Sequence, residues 1–430
     1  MLWIICLFGY ADRFAFPAVY PALQKSFGFS NTQIGLMAAT FQWTYALMAP
    51  FAGRIGDRVA RKTVIIGGLC LWSAFTGFTA LCAGYWQFVA VLGVTALGEA
   101  FYFPAAMSII SDYHLPATRS RAMSLHQSGV YAGTVAGSVI AGFMALHYGW
   151  RSPFVLLGIA GVALAVVLRN AIREPARNEA EIEARISTAN EADPQEGLPE
   201  RKERSSSTPF LAILRTPSVL LIMLAFFGAN SVAWVFFTWM PKFLKVNYHM
   251  DLARAGFSAT FYFQFASIFG VMLGGVLADR WSRRRAGGRL DSQVLGLVMG
   301  APFIFLCGFT HDRLWLVGAM TAFGLCKGIY DANLWASLFD FIPPEHRGGA
   351  VGFMNMVGYL GSGLATLLIG VVIDHGVSMR AAISATGSVY IVVACVIFCT
   401  ARVFAPRDVR VAPTPAPPPR TGEGGLANSG

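Results

Sequence analysis

Apolar residues in this chain come in unbroken blocks of about 20, not in alternation and not in 3.6-residue stripes. Twelve such blocks can be drawn, at 1–22, 34–53, 63–83, 87–110, 122–146, 152–170, 217–240, 255–278, 292–310, 314–339, 349–373 and 379–402. A helix of that length crosses the ~30 Å hydrocarbon core of a bilayer. It also satisfies its backbone polar groups internally, which lipid cannot do. The pattern therefore predicts an all-α membrane protein with twelve transmembrane helices. Residues 173–212 interrupt it with a charged stretch rich in Glu, Arg and Ser, and divide six blocks from six. The expected organisation is a six-helix bundle over 1–172, a cytosolic linker over 173–212, a second six-helix bundle over 213–403, and a tail over 404–430. The tail carries Pro413, Pro415, Pro417, Pro418 and Pro419 followed by glycines, and reads as disordered and cytosolic.

Composition agrees. Of 430 residues, 55% are hydrophobic and 13% charged, with a mean hydropathy of +0.54; soluble domains carry about 25% charged residues. A disordered chain, a disulfide scaffold and an ordinary soluble enzyme are excluded. The net charge of +10 gains meaning once placed. If the first span enters from the cytosol, 24 of the 33 Lys and Arg fall on cytosolic segments. Seven fall opposite: Lys25, Arg151, Lys242, Lys245, Arg254, Arg313 and Arg380. That bias puts both termini inside the cell and makes the charge a reporter of topology, not a nucleic-acid surface. The seven cysteines lie in apolar blocks without ligand spacing and read as small buried hydrophobes. No metal set, nucleophile–base set or phosphate loop appears, so no cofactor is expected. The start has no basic region of a secretory signal. Asp12 follows after only about 17 Å of helix, so the first span begins without a cytosolic anchor.

The two halves repeat. Gly53, Asp57, Arg58, Arg61 and Lys62 recur as Gly275, Asp279, Arg280, Arg283 and Arg284 at an offset of 222. Farther on, Asp112, Pro116, Arg119, Ala122, Tyr131, Gly133 and Gly142 recur as Asp340, Pro344, Arg347, Ala350, Tyr359, Gly361 and Gly370 at an offset of 228. Two repeats in the same orientation imply a pseudo-two-fold axis along the membrane normal and a central cavity between the bundles.

Over about 1–402 the chain resembles a major facilitator superfamily transporter, and within it the anion:cation symporter family. The G-x-x-x-D-R-x-x-R-[KR] loop in both halves carries the superfamily likeness. Asp12 and Arg13, Phe41 through Tyr45, Gly98-Glu99-Ala100 with Phe103-Pro104-Ala105, Tyr148 through Arg151, Arg173-Glu174-Pro175, and Phe237 through Pro241 carry the closer one. Spinster-type lipid transporters share the Asp-Arg and Gly-Glu-Ala elements. The resemblance implies that spans 1, 4, 7 and 10 line the cavity, that Asp12 and Glu99 form the protonation pair, that Arg13 holds a substrate carboxylate, and that Tyr45 contacts substrate. One departure is plain: the family's Arg seven residues before the span-4 Glu is Leu92 here, and its usual Gly is Ala96.

Ionisable groups inside spans are functional candidates by default. They are Asp12, Arg13, Glu99, Lys327 and Asp331. The 228 offset places Glu99 and Lys327 at equivalent depths with opposite charge, so Lys327 is a candidate replacement for the missing cation; pairing with Asp331, one helical turn away, is the alternative. A low-dielectric site raises a carboxyl's pKa and a nearby cation lowers it. A carboxyl that loses its cation to an anionic substrate should therefore take up a proton, which would couple the two fluxes; the same charges could instead be structural ion pairs. Gln42, Gln127, Asn230, Trp234, Tyr330 and Asn355 are further substrate-binding candidates suited to hydroxyls, or else interhelical hydrogen-bonding groups. His126 reads as either a titrating group or a satisfied core residue. Asp57, Arg58, Arg61, Asp279, Arg280 and Arg283 are the candidate gating groups. Gly129, Gly133 and Gly137 allow close helix approach.

The function expected is secondary active transport by alternating access: proton-coupled symport of a small organic anion, a sugar acid such as a hexuronate or aldonate. The alternative is spinster-like export of a lysolipid or other amphiphile. The expected setting is a plasma membrane (bacterial inner membrane), with the anion, protons and the lipid bilayer as partners, no nucleic acid, and a monomer.

Overall fold

Each expected span is a helix, and two of the helices are broken. The structure, a computed structural model, describes residues 1–175, 216–285, 287–343 and 346–411. Most of the expected linker and tail lie outside the described residues. The first half comprises α1 (Leu2–Phe27), α2 (Asn31–Arg58), α3 (Arg61–Phe78), α4 (Tyr85–Ala100), α5 (Tyr102–Tyr113), α6 (Pro116–Tyr148) and α7 (Ser152–Ala171). The second comprises α8 (Pro217–Tyr248), α9 (Leu252–Ser282), α10 (Gly288–Phe309), α11 (Arg313–Asp331), α12 (Leu334–Phe339), α13 (Arg347–Asp374), α14 (Met379–Cys399) and, past a π-helical turn over Thr400–Phe404, α15 (Ala405–Val411). The last of these corrects the expected disorder from 404. Asp408 accepts a hydrogen bond from the Ser218 amide at 3.0 Å, so the segment is held as an anionic cap on the start of α8.

Among the described residues ten helices are long and apolar enough to cross a bilayer. The two spans that fall short are α2 and α11. The first carries Gln33, Gln42 and Thr44, the second Lys327 and Asp331. Low hydropathy here marks helices turned toward the middle of the molecule.

Within the halves, α1 packs on α6, α3 on α7, α9 on α11 and α10 on α14. Across them α2 runs along α13 and α6 along α9, while α1 touches α8. Those two long seams are exchanged by the repeat offset, as a pseudo-two-fold requires. Small residues let the backbones meet. Gly133 and Gly137 of α6 lie against the backbone of Leu7 and Ala11 in α1, and a Cβ on Gly35 of α2 would sit 2.9 Å from the Thr366 carbonyl of α13. Gly28 ends α1 in the left-handed region, φ 69°, donating its amide to the Gln24 carbonyl; a side chain there would be strained.

Spans 4 and 10 both break, about one turn apart in the repeat register. The α4–α5 join falls at Phe101, two residues past Glu99, with Pro104 removing a helical amide just beyond. The α11–α12 join falls at Ala332 and Asn333, directly after Asp331. There Asn333 Nδ2 donates to the Gly274 carbonyl and to Ser292 Oγ, both at 3.0 Å. Each half therefore interrupts a helix beside its intramembrane carboxylate.

Candidate functional site

Adjacent residues on a helix point about 100° apart, and that separates the roles of Asp12 and Arg13. Arg13 faces the seam between the halves. Its Nε and Nη2 both donate to Glu99 Oε2, at 2.8 and 2.6 Å, and its Nη1 donates to Tyr359 Oη of the opposite half at 3.2 Å. Arg13 and Glu99 are 7% and 5% exposed, so this is a desolvated, charge-assisted pair. Aromatic rings enclose the guanidinium: Tyr10 at 4.9 Å, Phe41 at 5.0 Å, Tyr45 at 4.8 Å and Trp234 at 6.0 Å from ring centroid to Cζ. Tyr359 lies between Tyr45 and Trp234, tilted to both, with centroids 4.6 and 5.7 Å away. A small cavity beside this cluster is lined by Cys6, Gly9, Tyr10, Arg13, Tyr45, Trp72, Glu99, Tyr102 and Phe103.

Asp12 points the other way, toward α3. It is 1% exposed and neither carboxyl oxygen has a hydrogen-bond partner. The Trp72 indole and Thr76 hydroxyl face it as donors but do not reach good hydrogen-bond geometry. Glu99 is close enough to repel it, and Glu99 Oε1 is likewise unpartnered. Buried polar atoms without partners are rare, and among the described residues three of them are carboxyl oxygens of Asp12 and Glu99.

Lys327 does not join this cluster. Its Nζ donates to Asp331 Oδ2 on the next turn of α11 and lies 5.7 Å from the Phe263 ring centroid. Of the two expected roles of Lys327, the structure has the pairing with Asp331 and not an approach to Glu99: each half holds its own ion pair, because Asp331 lies within one turn and captures the ammonium. That pair faces the first half through Tyr131 of α6. Tyr330 is buried with its hydroxyl unpartnered. Asn230 donates to Ser362 Oγ at 2.8 Å, and Gln42 reaches Thr366 Oγ1 at 3.5 Å. Gln127 is exposed and Asn355 half-buried, and neither is drawn into the cluster. His126 is buried against Tyr102, Nε2 to Oη 2.8 Å, with its Nδ1 unpartnered, so it is a core residue satisfied at one nitrogen only. Leu92, at the position of the missing cation, is packed in the core. Sequence reasoning passed over Tyr10, Trp72, Thr76 and Tyr359 as site residues; only Tyr359 carried a signal, its repeat with Tyr131.

The gating loops differ between halves. Arg61 is buried, ion-paired with Asp112 and, at 3.1 Å, with Glu174, and it donates to the Pro175 carbonyl. Asp57 and Arg58 have side chains outside the described residues. In the second half Asp279, Arg280 and Arg283 are exposed and form no ion pair among the described residues. Asp340, the mate of Asp112, pairs instead with Arg289. Burial holds its carboxyl above the ordinary range, although Arg289 and Arg347 pull it down.

The halves are tied at the end that carries the α1–α2 turn. Asp374 of α13 accepts from the Asn31 amide (3.1 Å), Asn31 Nδ2 (2.7 Å) and the Thr32 amide (2.7 Å), so it caps α2 of the other half. Lys242 of α8 donates to Asn31 Oδ1. Between described residues no cross-half hydrogen bond lies on the linker side of Arg13.

Two repeated helical bundles joined along two seams, with buried charge at their midline, define a multi-pass membrane transporter and not an enzyme. The chain belongs to the Major Facilitator Superfamily, whose model matches residues 2–365 and 285–425. It is 26% identical over 402 residues to the probable galactarate/D-glucarate transporter GudP of Bacillus subtilis (strain 168), covering 90% of this chain and 88% of that one. It is 23% identical to the hexuronate transporter of the same organism, covering 87% of each. Against protein spinster homolog 1 of Xenopus laevis it is 26% identical, over 87% of this chain and 72% of that one. Its fold matches the crystal structure of a bacterial homolog to human lysosomal transporter, spinster, in an inward-facing and unoccupied conformation. That match has a TM-score of 0.77 at 20% identity and covers 94% of this chain and 96% of that one.

Proposed function

We propose that this protein is a proton-coupled symporter of a sugar acid, worked by alternating access. The observation that carries the reading is the Arg13–Glu99 pair, buried on the seam, with Asp12 beside it and Tyr359 reaching in from the other half. A substrate carboxylate competes with Glu99 for the Arg13 fork, which suits bidentate carboxylate recognition. Displaced, Glu99 is left as a second anion next to Asp12, whose nearest donors, Trp72 and Thr76, do not reach hydrogen-bond geometry. Uptake of a proton by the Asp12–Glu99 pair removes the repulsion, and its release on the far side resets the site. Substrate and proton thus cross together because one cation cannot serve two carboxylates. Similarity to galactarate/D-glucarate and hexuronate transporters supports a polyhydroxy acid as cargo. Tyr45, Trp234, Asn230 and Gln42 are suited to its hydroxyls and ring face, and Lys327, with Tyr330 and Asp331, offers a second charge on the other wall. The preponderance of basic residues on the linker side supports a cytosolic linker and cytosolic termini in a plasma membrane. The ties at the α1–α2 end then leave the site to be reached from the cytosol.

The deciding experiment is uptake of radiolabelled D-glucarate, galactarate and D-glucuronate into proteoliposomes, with and without an inward proton gradient. Gradient-driven accumulation abolished by Arg13→Ala supports the reading. Flux of a lysolipid instead, unaffected by sugar acids, would replace it with export of an amphiphile, the reading that the spinster relative favours.

A further inference from the structure

Away from the seam, α10 and α14 leave an open apolar groove of about 810 Å³ on the outer surface of the second half, walled by Val298, Ala301, Phe305, Ile391, Cys395 and Phe398. From Val294 to Phe305 it follows about 16 Å of helix, one leaflet of a ~30 Å core. At one end it runs into a second cavity bordered by Arg284, Arg285, Arg402 and Asp291, with Trp281 beside them. Asp291 accepts from Arg285 and, at 2.8 Å, from Arg402. Arg284 is exposed and forms no ion pair among the described residues, so three guanidiniums face a single carboxylate. The π-helical turn over Thr400–Phe404 presents Arg402 here, laid over the Phe398 ring at 4.7 Å. Such π segments often occur at functional sites. Tryptophan and arginine at one end of an apolar channel are the chemistry of a membrane interface, and basic pockets between helices on the cytosolic side suit anionic headgroups.

We infer that this groove is a binding site for one anionic phospholipid, its phosphate held by Arg284, Arg285 and Arg402 and an acyl chain lying between α10 and α14. The site is separate from the Arg13 cluster and does not depend on what the protein transports. The test is native mass spectrometry of the full chain in detergent doped with phosphatidylglycerol or phosphatidylcholine of identical acyl chains. Phosphatidylglycerol should be retained in preference. Each arginine near a membrane surface is worth about 1 kcal/mol, or about fivefold in affinity, so Arg284→Gln and Arg402→Gln should each weaken retention by about that factor. Arg254→Gln, at the far end of α9 and exposed, should leave it unchanged. Cys395→Trp fills the channel without touching the arginines and should weaken retention of the same lipid, which keeps the test open if an arginine variant does not fold. Equal retention of the two lipids, or wild-type retention of phosphatidylglycerol in the arginine variants or in Cys395→Trp, would overturn the assignment.

Discussion

At the scale of single residues, Asp12 is the sharpest case because stability and function should separate there. A buried carboxyl with no partner contributes nothing to holding α1 against α3, so replacing it with a neutral isostere removes a cost. Asp12→Asn is expected to leave the thermal midpoint in detergent unchanged or a few degrees higher, while gradient-driven uptake falls by at least about tenfold, a loss of 1.4 kcal/mol or more. A fall in the midpoint with uptake intact would show that Asp12 is structural. Glu99 should behave differently. Glu99→Gln strips Arg13 of its counter-ion, and breaking one partner of a buried pair costs about 3–5 kcal/mol. The variant should be less stable without substrate, regain stability when the sugar acid supplies the missing carboxylate, and still exchange substrate without accumulating it. A thermal-shift titration beside counterflow and gradient uptake reads all three. The sequence already pointed to Asp12, Arg13 and Glu99, since charge inside an apolar block is conspicuous. The aromatic cage was only partly legible: Tyr45 and Trp234 stood among the candidates, but Tyr10 is unremarkable in a chain rich in aromatics, and only the crossing of α1, α2 and α8 brings four rings to one guanidinium. For Lys327 the sequence left two pairings open. Repeat symmetry gives depth in the membrane, but a side chain pairs with what lies in reach, and Asp331 is one turn away.

At the scale of elements, the length of each span was readable because a bilayer imposes it, whereas the breaks in spans 4 and 10 were not. Pro104 is a visible cause for the first; the second depends on Asn333 finding Gly274 and Ser292 on neighbouring helices, which no local pattern announces. The glycine repeat in α6 was legible and had a definite partner: Gly129, Gly133 and Gly137 seat Trp3, Leu7 and Ala11 of α1. Since α1 carries both Asp12 and Arg13, this contact positions the site. Gly137→Val should push α1 off α6 and shift both residues. Overpacking typically costs about 1–3 kcal/mol, and the variant is expected to show a lower thermal midpoint together with a raised KM for the sugar acid. Gly67, around which an added Cβ meets nothing, serves as the control: Gly67→Val should change neither.

At the scale of the whole molecule, the two halves are joined unevenly, and that unevenness is what a transport cycle must relieve. The carboxylate of Asp374 caps α2 across the seam and Lys242 reaches Asn31 at the same end, while no hydrogen bond between described residues ties the halves on the linker side of Arg13. If the halves rock about the Arg13 level, these contacts must part once in every cycle. Asp374→Asn weakens the cap by removing its charge, an effect of about 0.3–1 kcal/mol near a helix N-terminus. It should therefore raise maleimide labelling of a cysteine placed at Thr32 from the α1–α2 side by a few-fold, with little change in fold stability. The stronger test closes that end permanently. Asn31 Nδ2 and Asp374 Oδ1 approach to 2.7 Å, too far between β-carbons for a direct disulfide but within the span of a short bis-methanethiosulfonate reagent, which should bridge Asn31→Cys combined with Asp374→Cys through two reducible bonds. Uptake should stop when the bond forms and return on reduction, and the sugar acid should still protect the Arg13 site from the linker side while the cross-link holds. Full uptake by the cross-linked double variant would mean that the two halves do not separate at this end, and the Arg13 site would then have to be reached by some other route.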